Sequence, residues 1–261
     1  METLLVGQTV LIPRPAQIGQ DPLGAGLVEL GASVVYSPVI EILPLEAWGE
    51  LDQALRSMPN FRGIVFLSRN GIQAVVQRAE ILGEKERLMK TLGQLHCFTI
   101  GQGTAAELVN QSGQTSQVPT DSNSQSMADL LVQQRVRAPF LIFRGNRGSQ
   151  VLPEQLSSAS VPFQQVVAYR SADVTVADTE IVDRLGEGRI QWVVVTSSAI
   201  ARSLVGLYGD LLRRTRLVSI SPTTSGVLVS LGYPPTAEAQ RYDFKGLVAA
   251  IADSERDQRG A

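Results

Sequence analysis

Histidine and cysteine are almost absent from this chain. Its 261 residues hold one of each, His96 and Cys97, adjacent in the segment Leu-His-Cys-Phe-Thr at 95–99. A single thiol excludes an internal disulfide and a thiolate metal cluster, and it fits a reducing compartment. A single imidazole leaves little material for a Ser-His-Asp relay or a His-rich metal site. At mid-strand, His96 reads as a packed or surface residue and Cys97 as a small apolar one. Charge of one sign is missing too: 23 Lys and Arg stand against 25 Asp and Glu, for a net charge of -2. That balance offers no general attraction to nucleic acid or an anionic membrane, so any anion must be held locally. No apolar run reaches transmembrane length, and the start METLLVGQTVLIP lacks a basic segment, a long apolar core and a small-residue cleavage site. A cytoplasmic protein is the expectation. The carboxylate pairs Glu84/Glu86 and Asp183/Glu187 fall in polar helical stretches, where a solvated face accounts for them. An enzyme built from this inventory needs chemistry that asks little of acids, bases or metals.

What the chain does have is an internal repeat. TVLIPRPAQ at 9–17 parallels PFLIFRGNR at 139–147, each an apolar strand that delivers an arginine, Arg14 or Arg144, at its C-terminal end. IVFLSRNGIQAVV (64–76) parallels VVVTSSAIARSLV (193–205), which superimposes Ser68 on Ser197. FTIGQGTAAELV (98–109) aligns with VSISPTTSGVLV (218–229), placing Thr104 on Thr224, and NSQSMADLLVQQ (123–134) parallels YDFKGLVAAIAD (242–253). With 44% hydrophobic residues there is enough apolar material for two modest domains.

Within each copy, short β-rich apolar runs alternate with amphipathic helical lengths, the pattern of a parallel sheet with helices on both faces. Strands are expected near 9–13, 33–36, 62–67, 95–99, 115–118, 139–143, 163–168, 190–195, 216–220 and 236–239. Gly31, Gly83, Gly113, Gly209 and Gly232 sit where the intervening helices should stop. In such sheets ligands gather beyond the carboxyl ends of the strands, where helix N-termini point outward with unpaired N–H groups. Arg14, Ser68, Gly101 to Thr104, Arg144, Ser197 and Ser221 to Thr224 all fall at such ends.

Two of these corners are unusual. Ser-Pro-Thr-Thr-Ser at 221–225 places a run of hydroxyls on a predicted helix start, where a cap needs one; its counterpart IGQGTA substitutes glycines that allow close backbone approach. Either corner alone is accounted for by capping, while two equivalent corners, with two more at Ser68 and Ser197, suit an anion such as a phosphate or a carboxylate. No Walker sequence occurs, and GQGTAA lacks the third glycine of the dinucleotide fingerprint. Aromatic residues make up 5% of the chain, and among the tyrosines Tyr169 stands out at the end of FQQVVAYRS, beside Arg170. A phenol is protonated at neutral pH and can donate a proton without prior tuning, although a tyrosine there can also simply pack its ring and hydrate its tip.

In their order, spacing and doubling, IPRP, FLSRNG, VTSSAI, IGQGTA, ISPTTS, FRGNRG and VVAYRS resemble the uroporphyrinogen-III synthase family over about residues 9 to 252. The resemblance implies two similar α/β domains joined by a two-stranded linker. Residues 1–36 with 172–261 form one domain and 42–165 the other, with 37–41 and 166–171 as linker strands and the doubled corners facing a mobile cleft. It implies a monomeric enzyme without cofactor or metal, which closes linear hydroxymethylbilane to uroporphyrinogen III with inversion of the last ring and loss of water. It assigns Tyr169 as the acid, and it places the substrate's carboxylates against Arg14, Ser68, Gly101, Gly103, Thr104, Arg144, Ser197, Ser221, Thr223 and Thr224. The chain departs from the family where Ser221 replaces a usual glycine and where VTSSAI is one residue short. The Ser221 departure motivates a second reading, a two-lobed protein that binds a tetrapyrrole or another polycarboxylate without turning it over.

Overall fold

The computed structural model describes residues 3–15 and 21–260; Ala16 and Gln17 of the first repeated stretch, with residues 1–2, 18–20 and 261, lie outside the described residues. The chain forms two compact units, Met1–Glu41 with Asp173–Ala261, and Ile42–Ala172.

The first unit contains β1 (Thr9–Ile12), α1 (Pro22–Glu29) and β2 (Ser33–Tyr36). The second runs through β3 (Ile40–Leu43), α2 (Gly49–Ser57), β4 (Gly63–Phe66), α3 (Arg69–Ile81), α4 (Lys85–Leu92), β5 (His96–Thr99), α5 (Gln102–Ser112), α6 (Ser124–Gln133), β6 (Phe140–Gly145), α7 (Val151–Ser158) and β7 (Phe163–Asp173). The chain then returns to the first unit with α8 (Thr179–Gly186), β8 (Trp192–Val195), α9 (Ser198–Tyr208), β9 (Arg216–Ser219), α10 (Pro222–Ser230), β10 (Ala237–Glu238) and α11 (Phe244–Gly260). The sheet orders are β10-β9-β8-β1-β2 and β3-β7-β6-β4-β5. In the first sheet β10–β9, β9–β8, β8–β1 and β1–β2 run parallel, and in the second β7–β6, β6–β4 and β4–β5 do.

Apolar residues at successive strand positions point to opposite faces, and both faces are buried, as a parallel sheet covered by helices on two sides requires. In the second unit Ile64, Phe66, Leu141 and Phe143 pack against Leu51, Ile72 and Val75 of α2 and α3. Val65, Phe140 and Ile142 pack the other way, against Met127, Leu131 and Leu152 of α6 and α7. The first unit repeats the scheme: Leu11, Val193 and Val195 face α8 and α9, while Val10, Ile12, Trp192 and Val194 face α1 and α11. Phe66 and Phe143 stack at 5.4 Å between ring centroids, and Phe98 meets Phe140 edge-on at 5.6 Å. Each such ring contributes about 1.5–3 kcal/mol by burial.

Two expected strands differ from the sequence reading. The 115–118 stretch makes only a bridge between Gln117 and Phe98, since Pro119 has no N–H with which to extend the ladder. Its counterpart β10 is two residues long. Ile40 and Glu41, expected as linker, pair into the second sheet together with Ile42 and Leu43 as β3. The expected helix stops hold: Gly113 (φ +70) and Gly232 (φ +83) end α5 and α10 at matching places in the two copies, in a backbone region that favours glycine.

One contact fixes α3, whose N-terminus matters below. Arg78 grips Asp52 of α2 with two bonds of 2.7 and 2.8 Å while its guanidinium lies 4.5 Å over the Trp48 ring. The bonds from Arg78 hold the Asp52 carboxyl below the usual carboxylate range, against the opposing effect of burial. A depressed folded-state value means that this stabilisation is complete above the unfolded value, about 4, and is lost as pH falls through the folded one. Thermal melts between about pH 4 and pH 2 should therefore show wild-type Tm falling more steeply than that of Asp52→Asn; parallel slopes would show that the pair does not couple to folding.

Candidate active site

Parallel strands end on the same edge of a sheet, so the helices that follow them start there together. At several of these starts a side chain turns back to accept the N–H three positions on. Ser68 (φ −167) accepts from Gly71 at 3.0 Å and Ser197 (φ −168) from Ile200 at 3.2 Å. Asn123 accepts from Ser126 and Asp243 from Gly246, both at 2.8 Å. Gly101 starts α5 with the same extended backbone but no side chain, because a Cβ there would collide with the Ser122 hydroxyl. Its counterpart Ser221 keeps a side chain and accepts from Thr224 N–H at 3.4 Å.

The hydroxyl-rich corner at 221–225 is largely occupied with itself. Ser221 Oγ also meets Thr224 Oγ1 at 3.2 Å, and Thr224 is buried. Ser225 lies 2.6 Å from the buried Ser219 hydroxyl and donates to Glu238 of β10. Of the residues expected to bind here, Thr223 is exposed. Arg14 is also engaged within the first unit. It pairs with the buried Asp21, which accepts from Leu23 N–H at 3.1 Å and from the Tyr36 hydroxyl at 2.7 Å, and its guanidinium lies 4.8 Å over Phe244. Desolvation, reinforced by the bond to Asp21, pushes the Tyr36 phenol up to about 12. Asp21 therefore offsets the Arg14 charge, and the group caps α1.

The second unit brings its expected residues together. β7 pairs with β6 in register up to Arg144 with Val167, after which Gly145 pairs with Tyr169, so Ala168 is an extra residue that bulges β7. A bulge re-aims the side chain beside it. Here it sends Tyr169 toward the start of α3, where the Ser68 hydroxyl donates to the phenol oxygen at 3.0 Å. Asn146 fastens the loop after β6 to the same strand: its N–H donates to Tyr169 O at 3.2 Å and its Oδ1 accepts from Ser171 N–H at 2.8 Å.

Tyr169 and Arg144 line a pocket of about 270 Å³ together with Leu67, Ile100, Ser122 and Ser149. Arg144 is 8% exposed, and its partners among the described residues are neutral: Gln165 Oε1 at 2.8 Å and Gly145 O at 3.2 Å. Gly148 packs flat on its guanidinium, where a Cβ would collide with it. A buried cation without an acid beside it, next to the N-terminus of α6 at Asn123 and Ser124, suits a carboxylate. Gly101, Gly103 and Thr104 start the neighbouring α5, with Thr104 buried. The sequence reading missed the pocket residues Ser122, Ser149 and Gly145; Asp-Ser-Asn-Ser at 121–124, hydroxyl-rich before a helix like the other corners, carried a signal for the first.

The family model of uroporphyrinogen-III synthase HemD matches residues 21–249. The chain belongs to the uroporphyrinogen-III synthase family. It is 28% identical to a uroporphyrinogen-III synthase of Synechococcus elongatus, over 96% of each chain. It is 26% identical to the one from Chlorobaculum parvum, over 95% of this chain and 99% of the relative. Among solved structures, the uroporphyrinogen-III synthetase of Helicobacter pylori has the same fold at a TM-score of 0.64 and 16% identity, covering 94% of this chain and 99% of the other. A mutant synthase of Thermus thermophilus gives 0.62 at 14% identity, covering 96% and 99%.

A larger hollow of about 580 Å³ lies beside β10 and α11 in the first unit, lined by Glu238, Arg241, Lys245 and Asp253 as well as by Ala237 and Ala249. It contains none of the residues expected to act in this family member, and the smaller pocket at Tyr169 is the better candidate. Gly145 is critical to that pocket, since a Cβ on it would lie 2.8–3.0 Å from the Tyr169 ring and hydroxyl. Gly145→Ala should cost about 1–3 kcal/mol by overpacking and displace the ring. A crystal structure of the variant would show the Ser68–Tyr169 bond broken; an unmoved ring would refute the packing account.

Proposed function

We infer that this protein closes hydroxymethylbilane to uroporphyrinogen III, inverting the last pyrrole ring and releasing water. The observation that carries the reading, within this family, is the Tyr169 hydroxyl: its oxygen accepts from Ser68, it has no acceptor of its own among the described residues, and it lines a pocket with a buried arginine.

Under this reading the Tyr169 proton passes to the substrate's terminal hydroxyl, which leaves as water while the pyrrole nitrogen supplies the electron pair that forms an azafulvene. The substituted carbon of the last ring attacks that electrophilic carbon and gives a spiro-pyrrolenine. The spiro centre fragments on its other side and recloses with the ring inverted, and the proton lost on rearomatisation returns to the phenolate. No strong base or redox group is required of the chain, in keeping with its scarcity of histidine and cysteine. The protein's main contribution is geometry, because the free bilane can also close without inversion; orientation of this kind can supply a large share of a barrier.

Arg144 takes a substrate carboxylate in the Tyr169 pocket, and first-turn N–H groups at Ser68, Gly101, Gly103 and Thr104, and in the other unit at Ser197, Ser221 and Thr223, hold further ones. Thr224, buried under Ser221, acts through the shape of its corner, and Arg14 acts through the α1 cap. The reading also takes the protein to be a monomer, working in the cytoplasm on this small molecule without nucleic acid.

Freshly prepared hydroxymethylbilane incubated with the purified protein should give the type III isomer, resolved by chromatography after oxidation. Type I alone, with tight product binding, would favour a binding protein instead. Tyr169→Phe should lower kcat by about tenfold to a thousandfold with Tm unchanged, the range of a general acid; an unchanged kcat would remove Tyr169 from the mechanism.

A further inference from the structure

The duplication supplies a comparison within one chain. Ser68 and Ser197 start α3 and α9 with the same backbone geometry, and each accepts the N–H of the residue three positions on. They differ in what the hydroxyl proton does. Ser68 donates to a phenol, whereas Ser197 has no tyrosine partner among the described residues. A serine that only caps a helix needs its lone pairs and makes no demand on its proton.

We propose that Ser68 is a positioning residue for Tyr169, a role that rests on the reading of Tyr169 as the acid. The Gly71 N–H occupies a lone pair of Ser68 Oγ, and the Ser68 proton turns onto the phenol oxygen 3.0 Å away. The Tyr169 hydrogen is then directed away from Ser68. When that proton moves to the departing hydroxyl, the oxygen left behind carries a negative charge and already has a donor in place. A hydrogen bond to an ionised oxygen is roughly twice as strong as one to a neutral oxygen, so the contact tightens as the charge develops. The surroundings fix this geometry: Gly145 leaves room for the phenol ring where a Cβ would collide with it, a Cβ on Gly71 would come within 4.0 Å of the ring edge, and the bulge at Ala168 sets the direction of the side chain. The first unit has kept the cap at Ser197 without this use.

Two substitutions separate the cap from the donation. Ser68→Ala removes both functions without adding a charge beside Tyr169. Ser68→Asp keeps a good cap acceptor but at neutral pH has no proton to give, and it competes for the phenol's own. Each is measured for type III formation in the wild-type background and in Tyr169→Phe, with Tm recorded throughout. Ser68→Ala should lower kcat about tenfold or more with KM changed less than about threefold, and should change kcat less than about twofold once Tyr169 is Phe. Ser68→Asp should match it in kcat while keeping wild-type Tm, and Ser68→Thr should recover most of the rate.

Equal losses in the two backgrounds, or a loss confined to KM, would assign Ser68 to substrate binding or to folding and overturn the positioning role while leaving Tyr169 as the acid. A Tyr169→Phe variant as fast as wild type would overturn both.

Discussion

The site depends on how the backbone N–H groups at the helix starts are satisfied. Most of the parallel strands hand over to a helix whose first N–H groups have no partner within the helix. At most of these corners one side chain takes a single N–H, and at Gly101 none does. Ser68, Asn123, Ser197, Ser221 and Asp243 each take one through a bond to the third position beyond, the first four from an extended backbone. The result is a set of neutral donors at sheet edges, suited to a substrate that carries several carboxylates, in a protein whose own charge is close to balanced.

Two copies of such an edge need not stay equivalent. In the first unit the hydroxyls of the 219–225 corner bind each other and Glu238, and Arg14 is offset by Asp21. In the second unit the corresponding arginine, Arg144, is buried with neutral partners, and the serine cap holds a tyrosine. The tyrosine and the buried arginine stand in one copy, while the other keeps the caps alone. For a reaction whose electrophile arises from the substrate's own pyrrole nitrogen, one proton donor and firm orientation suffice, and the rest of the chain can be spent on packing.

That packing is what makes Tyr169 precise. The ring rests where Gly145 lacks a side chain, against the apolar layer that contains Phe66, Phe143 and Ile72, and the strand carrying it is bulged by one residue. The far end of α3 is held by Arg78, in its last turn, gripping Asp52 of α2. A small movement in any of these would lengthen the 3.0 Å bond between Ser68 and the phenol.

Much of this was legible in the sequence, because the features concerned are local. Alternating apolar strands, serine and asparagine caps, and glycines at left-handed helix stops such as Gly113 and Gly232 each report on a few adjacent residues, and the repeat doubled every such signal. The sequence by itself thus determined the α/β class, the duplication and the edge on which Ser68, Arg144 and Tyr169 fall. Tertiary structure alone decided which of the candidates are free to act. Whether Arg14 meets Asp21, whether Thr224 is buried under Ser221, and whether Ser68 reaches across 101 positions to Tyr169 depend on strand register and on a one-residue bulge. A single-residue change of register turns a side chain to the opposite face, and no local pattern in the sequence records it.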